Sequence, residues 1–180
     1  LDGYAMTVTQ TVTTDGGSSS VRARVTANTS SWAHVEYLSG PHGGTSRRID
    51  LSGTGTLPTF STGLQRATAG PVPSYGRLAE ALVRTSELDV DRIETLDGHR
   101  TAVVSLVPES STSDRVRVER RLWIDIDRRL PLQIETTWTR SDGQTVTETV
   151  RYTDIALYEN GSVPAPSVRH APQQSGVVGT

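Results

Sequence analysis

The sequence predicts a mainly β fold (α+β): a curled antiparallel sheet forming an incomplete barrel, with one main helix and a loop covering the concave face. Three observations carry this. Apolar and polar residues alternate along most of the chain. In Val116–Ile126, for example, Val116, Val118, Leu122, Ile124 and Ile126 interleave with Arg117, Glu119, Arg121, Trp123 and Asp125. Such period-two alternation marks strands with one buried face. Short polar turns separate these runs, as antiparallel hairpins require. One good helical pattern stands among them, near Ser74–Thr85, with Ser74 as cap and Tyr75, Leu78, Ala81 and Leu82 on one side.

In order, Tyr4–Thr13 is the first strand, with Met6, Val8 and Val12 on one face and Thr7, Thr9 and Thr11 on the other. Asp15-Gly16-Gly17-Ser18 is a turn. In the second strand Val21, Ala23 and Val25 face in while Arg22 and Arg24 face out. Ser31–Leu38 is the third, closed by Ser39-Gly40-Pro41. Gly40–Pro73 is rich in Gly, Ser, Thr and Pro, with one short strand at Arg47–Leu51. A loop of this length is usually functional or mobile, and we expect it to gate the concave side.

Asp89–Glu94 reads equally as a short helix or a strand. Arg92–Leu96 and Arg100–Val107 then flank an Asp97-Gly98 turn, and Pro108 ends the pair before a polar loop at Glu109–Asp114. After Val116–Ile126, Asp127–Arg129 turns the chain into Leu130–Arg140, where Leu132, Ile134 and Trp138 share a register. Ser141-Asp142-Gly143-Gln144 is a strong hairpin signal, because Gly supplies positive φ. Thr145–Tyr158 is the last strand. Residues 1–161 are read as one domain and 162–180 as a flexible tail of Pro, Ser, Gln and Gly. About nine strands in two sets result, and a helix of ~12 residues covers only part of so wide a sheet. The sheet therefore curls and leaves an apolar concavity.

Composition bounds the function. A chain of 180 residues buries roughly 70% of its unfolded surface, so the lack of Cys needs no remedy. It also removes thiolate chemistry. The formal charge of −2, from 18 basic and 20 acidic residues, is no nucleic-acid footprint. All the basic residues are Arg, a GC-rich coding bias of the actinobacterial kind, and every lysine-dependent mechanism is excluded. No apolar run approaches the ~18 residues of a membrane span. The chain begins at Leu1 and not Met, so it is read as a processed or trimmed product, with a signal peptide, a lipid anchor and a transmembrane helix as the alternatives for what preceded it.

Candidate chemistry is sparse. His34, His42, His99 and His170 lack zinc-like spacing. Pro41-His42-Gly43-Gly44 is similar to an esterase oxyanion loop, but no Gly-x-Ser-x-Gly elbow accompanies it, and a plain turn is favoured. Asp125 and Asp127 offer oxygen ligands for a cation, yet no further ligands adjoin them. They are read as the exposed face and turn of a hairpin. Gly53-x-Gly55 has no helix behind it and is no nucleotide loop. Trp123 lies on a polar register, on the outer face or under a crossing segment. Arg117, Arg120, Arg121, Arg128 and Arg129 are read as solubilising charge, with contact to anionic lipid headgroups or a partner protein as the alternative. No enzyme, metal site or cofactor is expected.

Trp123, Asp125, Leu130-Pro131-Leu132, the Asp142-Gly143 hairpin, Tyr152–Ala156 and Asn160 to Pro164 together resemble the C-terminal half of the LolA/LolB superfamily. The run from Gly98 to Pro108 extends the likeness to about residues 96–164, and Tyr37–Pro41 is similar to a strand end in the RseB/MucB branch. The resemblance implies an incomplete barrel with helices over an apolar concave side, working outside the cytoplasm. It implies a lipid or an acylated protein as partner. The alternative role it implies is a sensor bound to a membrane-anchored regulator, an anti-sigma factor. It brings no catalytic motif. The expected lipid-binding residues are the inward apolar ones: Met6, Val8, Val25, Val35, Tyr37, Leu78, Leu82, Leu122, Ile124, Leu132, Ile134 and Trp138.

Overall fold

A computed structural model of the chain describes residues 2–28, 32–50, 90–106, 116–159 and 163, with the backbone alone at Asp50 and Leu106. Its strands are β1 (Gly3–Thr14), β2 (Gly17–Asn28), β3 (Trp32–Tyr37), β4 (Ser46–Asp50), β5 (Val90–Leu96), β6 (His99–Leu106), β7 (Val116–Asp125), β8 (Leu130–Arg140) and β9 (Thr145–Tyr158). They form one antiparallel sheet in the order β4-β3-β2-β1-β9-β8-β7-β6-β5. The sheet is open, with β4 and β5 at its edges. The ambiguous segment is a strand from Val90 onward. The expected helix at Ser74–Thr85 and the tail beyond Val163 lie outside the described residues.

The two expected sets of strands are one sheet. β1 pairs with β9 from Gly3↔Tyr158 to Thr14↔Val146. This seam has a simple cause. Each strand has one apolar register, Met6 and Val8 in β1 and Val150 and Tyr152 in β9. In the observed pairing Val8 faces Tyr152, and the two registers fall on the same side.

Turn chemistry closes the hairpins. Asp97 and Gly98 both have positive φ, 51° and 80°. That is a two-residue turn whose twist matches the flanking strands. At the β8–β9 hairpin Gly143 has φ 85°, and the Gln144 N–H donates to Asp142 Oδ1 at 3.0 Å.

Three register shifts interrupt the ladders. β9 carries an extra residue opposite Met6, β8 one opposite the Trp123–Ile124 step, and β5 one between Val90 and Arg92. Bulges bend strands and increase local twist. In β9 the extra residue is accommodated by Asp154, held at φ 52°.

Candidate functional site

The site is built from the register. On one face, Met6 pairs with Val25 and Val25 with Val35. A second row runs Gln10–Val150–Ile134–Leu122–Val104–Val90 across six strands. A third runs Ile124–Ala102–Ile93. Met6, Val8, Val25, Val35, Leu122, Ile124 and Ile134 belong to one buried cluster with Tyr4, Val104, Val150 and Tyr152, and Tyr37 packs against it. Leu132 and Trp138 are buried but lie apart from that cluster. Trp138 pairs with Val118 and Val146 nearer the other end of the sheet. Leu78 and Leu82 lie outside the described residues.

Burial falls away along this face toward the β5 edge. Leu122 is 1% exposed, whereas Val90 and Ile93 at the ends of the two rows are 40% and 55% exposed. The apolar face therefore reaches solvent at one edge.

The same face carries polar residues that the alternation did not single out. Gln10 follows Met6 and Val8 in register, and its Nε2 donates to Glu148 Oε1. Thr136 is buried beside it, and Arg120 Nε donates to Thr136 Oγ1 at 3.2 Å. Arg120 thus sits on the inner register between Val118 and Leu122, not on the solubilising outer face expected for it. The signal was present in the sequence: each is a polar residue standing where the period calls for an apolar one.

Where the β8–β9 ladder stops, at Gln133↔Arg151, a cleft of about 280 Å³ opens. Asp97, His99, Arg128, Leu132 and β9 residues 152–155 line it. Tyr152 also belongs to the core cluster and Ile155 packs against it, so the cleft borders the core. Burial pushes the Tyr4 phenol up from its ordinary value.

The outer face over β5–β7 is itself covered. Trp123, Val103, Thr101 and Asp125 are all buried there. Trp123 Nε1 donates to Glu94 Oε1 at 2.5 Å, and the Arg92 guanidinium lies 6.0 Å from the indole ring. The hydrogen bonds from Trp123 and Arg92 hold the Glu94 carboxyl below its usual range.

Asp125, expected on the exposed face, is 2% exposed. Its carboxylate accepts the Asp127 and Arg128 N–H groups at 3.0 and 3.1 Å and Arg128 Nε at 2.8 Å. His99 Nδ1 lies 3.2 Å away. Desolvation opposes its ionisation, but the Arg128 contacts and the Asp127 N–H outweigh this and hold the carboxyl below its ordinary value. Its role is to tie the β7–β8 turn to the β5–β6 hairpin. Among the described residues no three His, Asp or Glu side chains are placed to hold a metal ion, and no helix is long and apolar enough to cross a membrane.

The described residues thus form an open, nine-stranded antiparallel sheet with a buried apolar cluster on one face. Solved structures similar to it include LolA-superfamily proteins and MucB. A LolA superfamily protein from Nitrosomonas europaea is 15% identical over 88% of this chain and 87% of its own, with a TM-score of 0.38. MucB, in the MucA/MucB complex of Pseudomonas aeruginosa, is 18% identical over 90% of this chain, with a TM-score of 0.44. The chain covers 53% of that structure. A putative outer membrane lipoprotein-sorting protein domain from Vibrio parahaemolyticus is 9% identical over 86% of this chain and 84% of its own, with a TM-score of 0.31. No family model and no curated protein matches.

Proposed function

We propose that this chain binds an apolar or lipidated ligand against the inner face of the sheet, outside the cytoplasm and without catalysis. One observation carries the reading. Two apolar rows run from the buried Leu122 and Ile124 out to the exposed Val90 and Ile93 on an edge strand. A core serving stability alone gains nothing from large exposed apolar residues at the end of its rows, whereas a ligand-binding face needs an apolar way in.

Titration with fluorescent fatty acids of increasing length is the test. Each buried methylene contributes up to ~0.8 kcal/mol, so affinity should rise with chain length. Ile93→Asp should weaken binding while the sheet stays folded, since Ile93 is already exposed. No saturable binding at any length would end this reading. The exposed apolar pair on β5, an edge strand among the described residues, supports a second one, in which the partner is a protein, such as a membrane-bound regulator, that adds to that edge. Saturable binding of such a partner by a chain indifferent to lipids would select it.

A further inference from the structure

The β8–β9 ladder ends at Gln133↔Arg151, yet β8 reaches back to Leu130 and β9 runs on to Tyr158. The cleft of about 280 Å³ occupies the fork between them. That is the small end of ligand pockets, room for a head group and not for a whole lipid. Leu132, Tyr152 and Ile155 give the cleft an apolar side that meets the core cluster. Asp97, Arg128 and Asp154 give it a charged side. Asp97 lies 2.5 Å from Arg151, and Arg128 Nε lies 2.8 Å from the buried Asp125. Three carboxylates thus stand against two guanidiniums, and the exposed Asp154 is the one in surplus. Arg128 meets Asp125 through Nε, while most guanidinium N–H donors sit on the two terminal nitrogens. The backbone marks the same place. Asp97, Arg129 and Asp154 all have positive φ, but Asp97 and Arg129 sit in turns, where that conformation is called for. Asp154 stands inside β9, at its bulge. Bulges re-aim side chains, and a left-handed residue within a strand is held there at a cost.

We propose that this cleft receives the head group of the ligand, and that the head is zwitterionic, with a phosphate on Arg128 and an ammonium on Asp154. Both residues line the one small cleft, so a single head group can touch both. The chain's seat rests on the inner face being an apolar-ligand site, whereas the head group's seat rests on the cleft. Charge decides among head groups. A bare anion meets the surplus carboxylate. A bare cation leaves the terminal N–H groups of Arg128 unused. An uncharged glycerol gains from neither charge. A zwitterion satisfies both residues without adding net charge.

The test uses the whole chain with a fluorescent fatty acid as probe, displaced by lysophosphatidylethanolamine, lysophosphatidylglycerol or a monoacylglycerol of one chain length. The zwitterionic lipid should displace the probe at roughly fivefold lower concentration than either of the others, the scale of one partly exposed ion pair. Asp154→Asn keeps a residue that tolerates the left-handed backbone, and it should erase the advantage over the anionic lipid. Arg128→Gln should erase the advantage over the monoacylglycerol. Arg128 also braces Asp125, so if that variant does not fold, Asp154→Asn decides alone. Equal displacement by all three lipids overturns the assignment, as does an advantage that survives Asp154→Asn. A second measurement needs no acyl chain. Glycerophosphoethanolamine should shift the ring NMR signals of His99, which lines the cleft, and inorganic phosphate at the same concentration should not. Equal shifts from the two, or none from either, overturn the head-group site. A probe that fails to bind while glycerophosphoethanolamine shifts His99 removes the apolar-ligand reading and keeps the head-group site. A bound probe with no preference for the zwitterion removes the zwitterion alone.

Discussion

Trp123 and Glu94 are joined across the outer face by a 2.5 Å hydrogen bond from indole to carboxylate, with Arg92 Nε held 2.7 Å from the same carboxylate. Trp123 stands on a polar register and is nonetheless buried. The hydrogen bond gives its one polar atom a partner, and the ring covers the outer side of β5–β7. Trp123→Phe removes the donor that contributes most to depressing Glu94. The Glu94 pKa, followed by carboxyl-carbon NMR, should therefore rise toward its ordinary value of 4.5, with Arg92 keeping it somewhat below. An unchanged Glu94 titration would show that Arg92 alone sets it.

Asp125 makes stability depend on acid. Its folded pKa lies below the ordinary 3.8, so its contribution is fully present above about that pH and is lost as pH falls through the lower folded value. Asp125→Asn should cost about 1–3 kcal/mol near neutrality, the scale of hydrogen bonds to a charged group. In urea denaturation the gap between wild type and variant should narrow below pH 4 or so. A gap independent of pH would mean that the loss comes from packing and not from charge.

Asp154 tests the β9 bulge. It is exposed and sits at φ 52°, where a side chain with a branched Cβ is strained. Asp154→Gly should be neutral or slightly stabilising in thermal denaturation, and Asp154→Val should cost about 1–2 kcal/mol. Equal effects of the two would mean that the bulge relaxes when substituted.

Leu122 and Ile93 lie on one face with opposite consequences. Leu122→Ala should destabilise by about 2–5 kcal/mol, because a buried leucine leaves a cavity. Ile93→Ala should change stability by no more than about 0.5 kcal/mol. Chemical denaturation of the two variants separates them, and a large effect at Ile93 would place that residue in the core.

The strands were legible because each has one face to bury. Val116–Ile126, for instance, was read within a residue of the observed Val116–Asp125. β2 begins earlier than its apolar pattern, at Gly17. Ser18, Ser19 and Ser20 are exposed, and hairpin pairing to β1 extends the strand without an apolar signal. The β1–β9 seam was not legible, because alternation says which face a residue takes and not which strand lies beside it. Asp125 was misjudged for a related reason. Its register put it outward, but His99, Thr101 and the turn after β7 bury it there. The inward apolar residues of the candidate site were read directly, including Met6, Val25 and Leu122. Gln10 and Arg120 were passed over because the search was for apolar residues on the apolar register.

The order of strands sets a timetable for making the protein. Gln10 and Glu148 are hydrogen-bonded neighbours although they lie 138 residues apart in the chain. β1 is made well before β9, and its second edge finds no mate until Thr145–Tyr158 have been made. Contacts of such range close slowly, because the ends of a long loop must first meet. Translation at ~5–20 residues per second leaves β1 half paired for many seconds on each nascent chain. During that interval an apolar strand with an open edge is free to join the same strand of another copy, so the hazard of aggregation is greatest just before the last strand arrives.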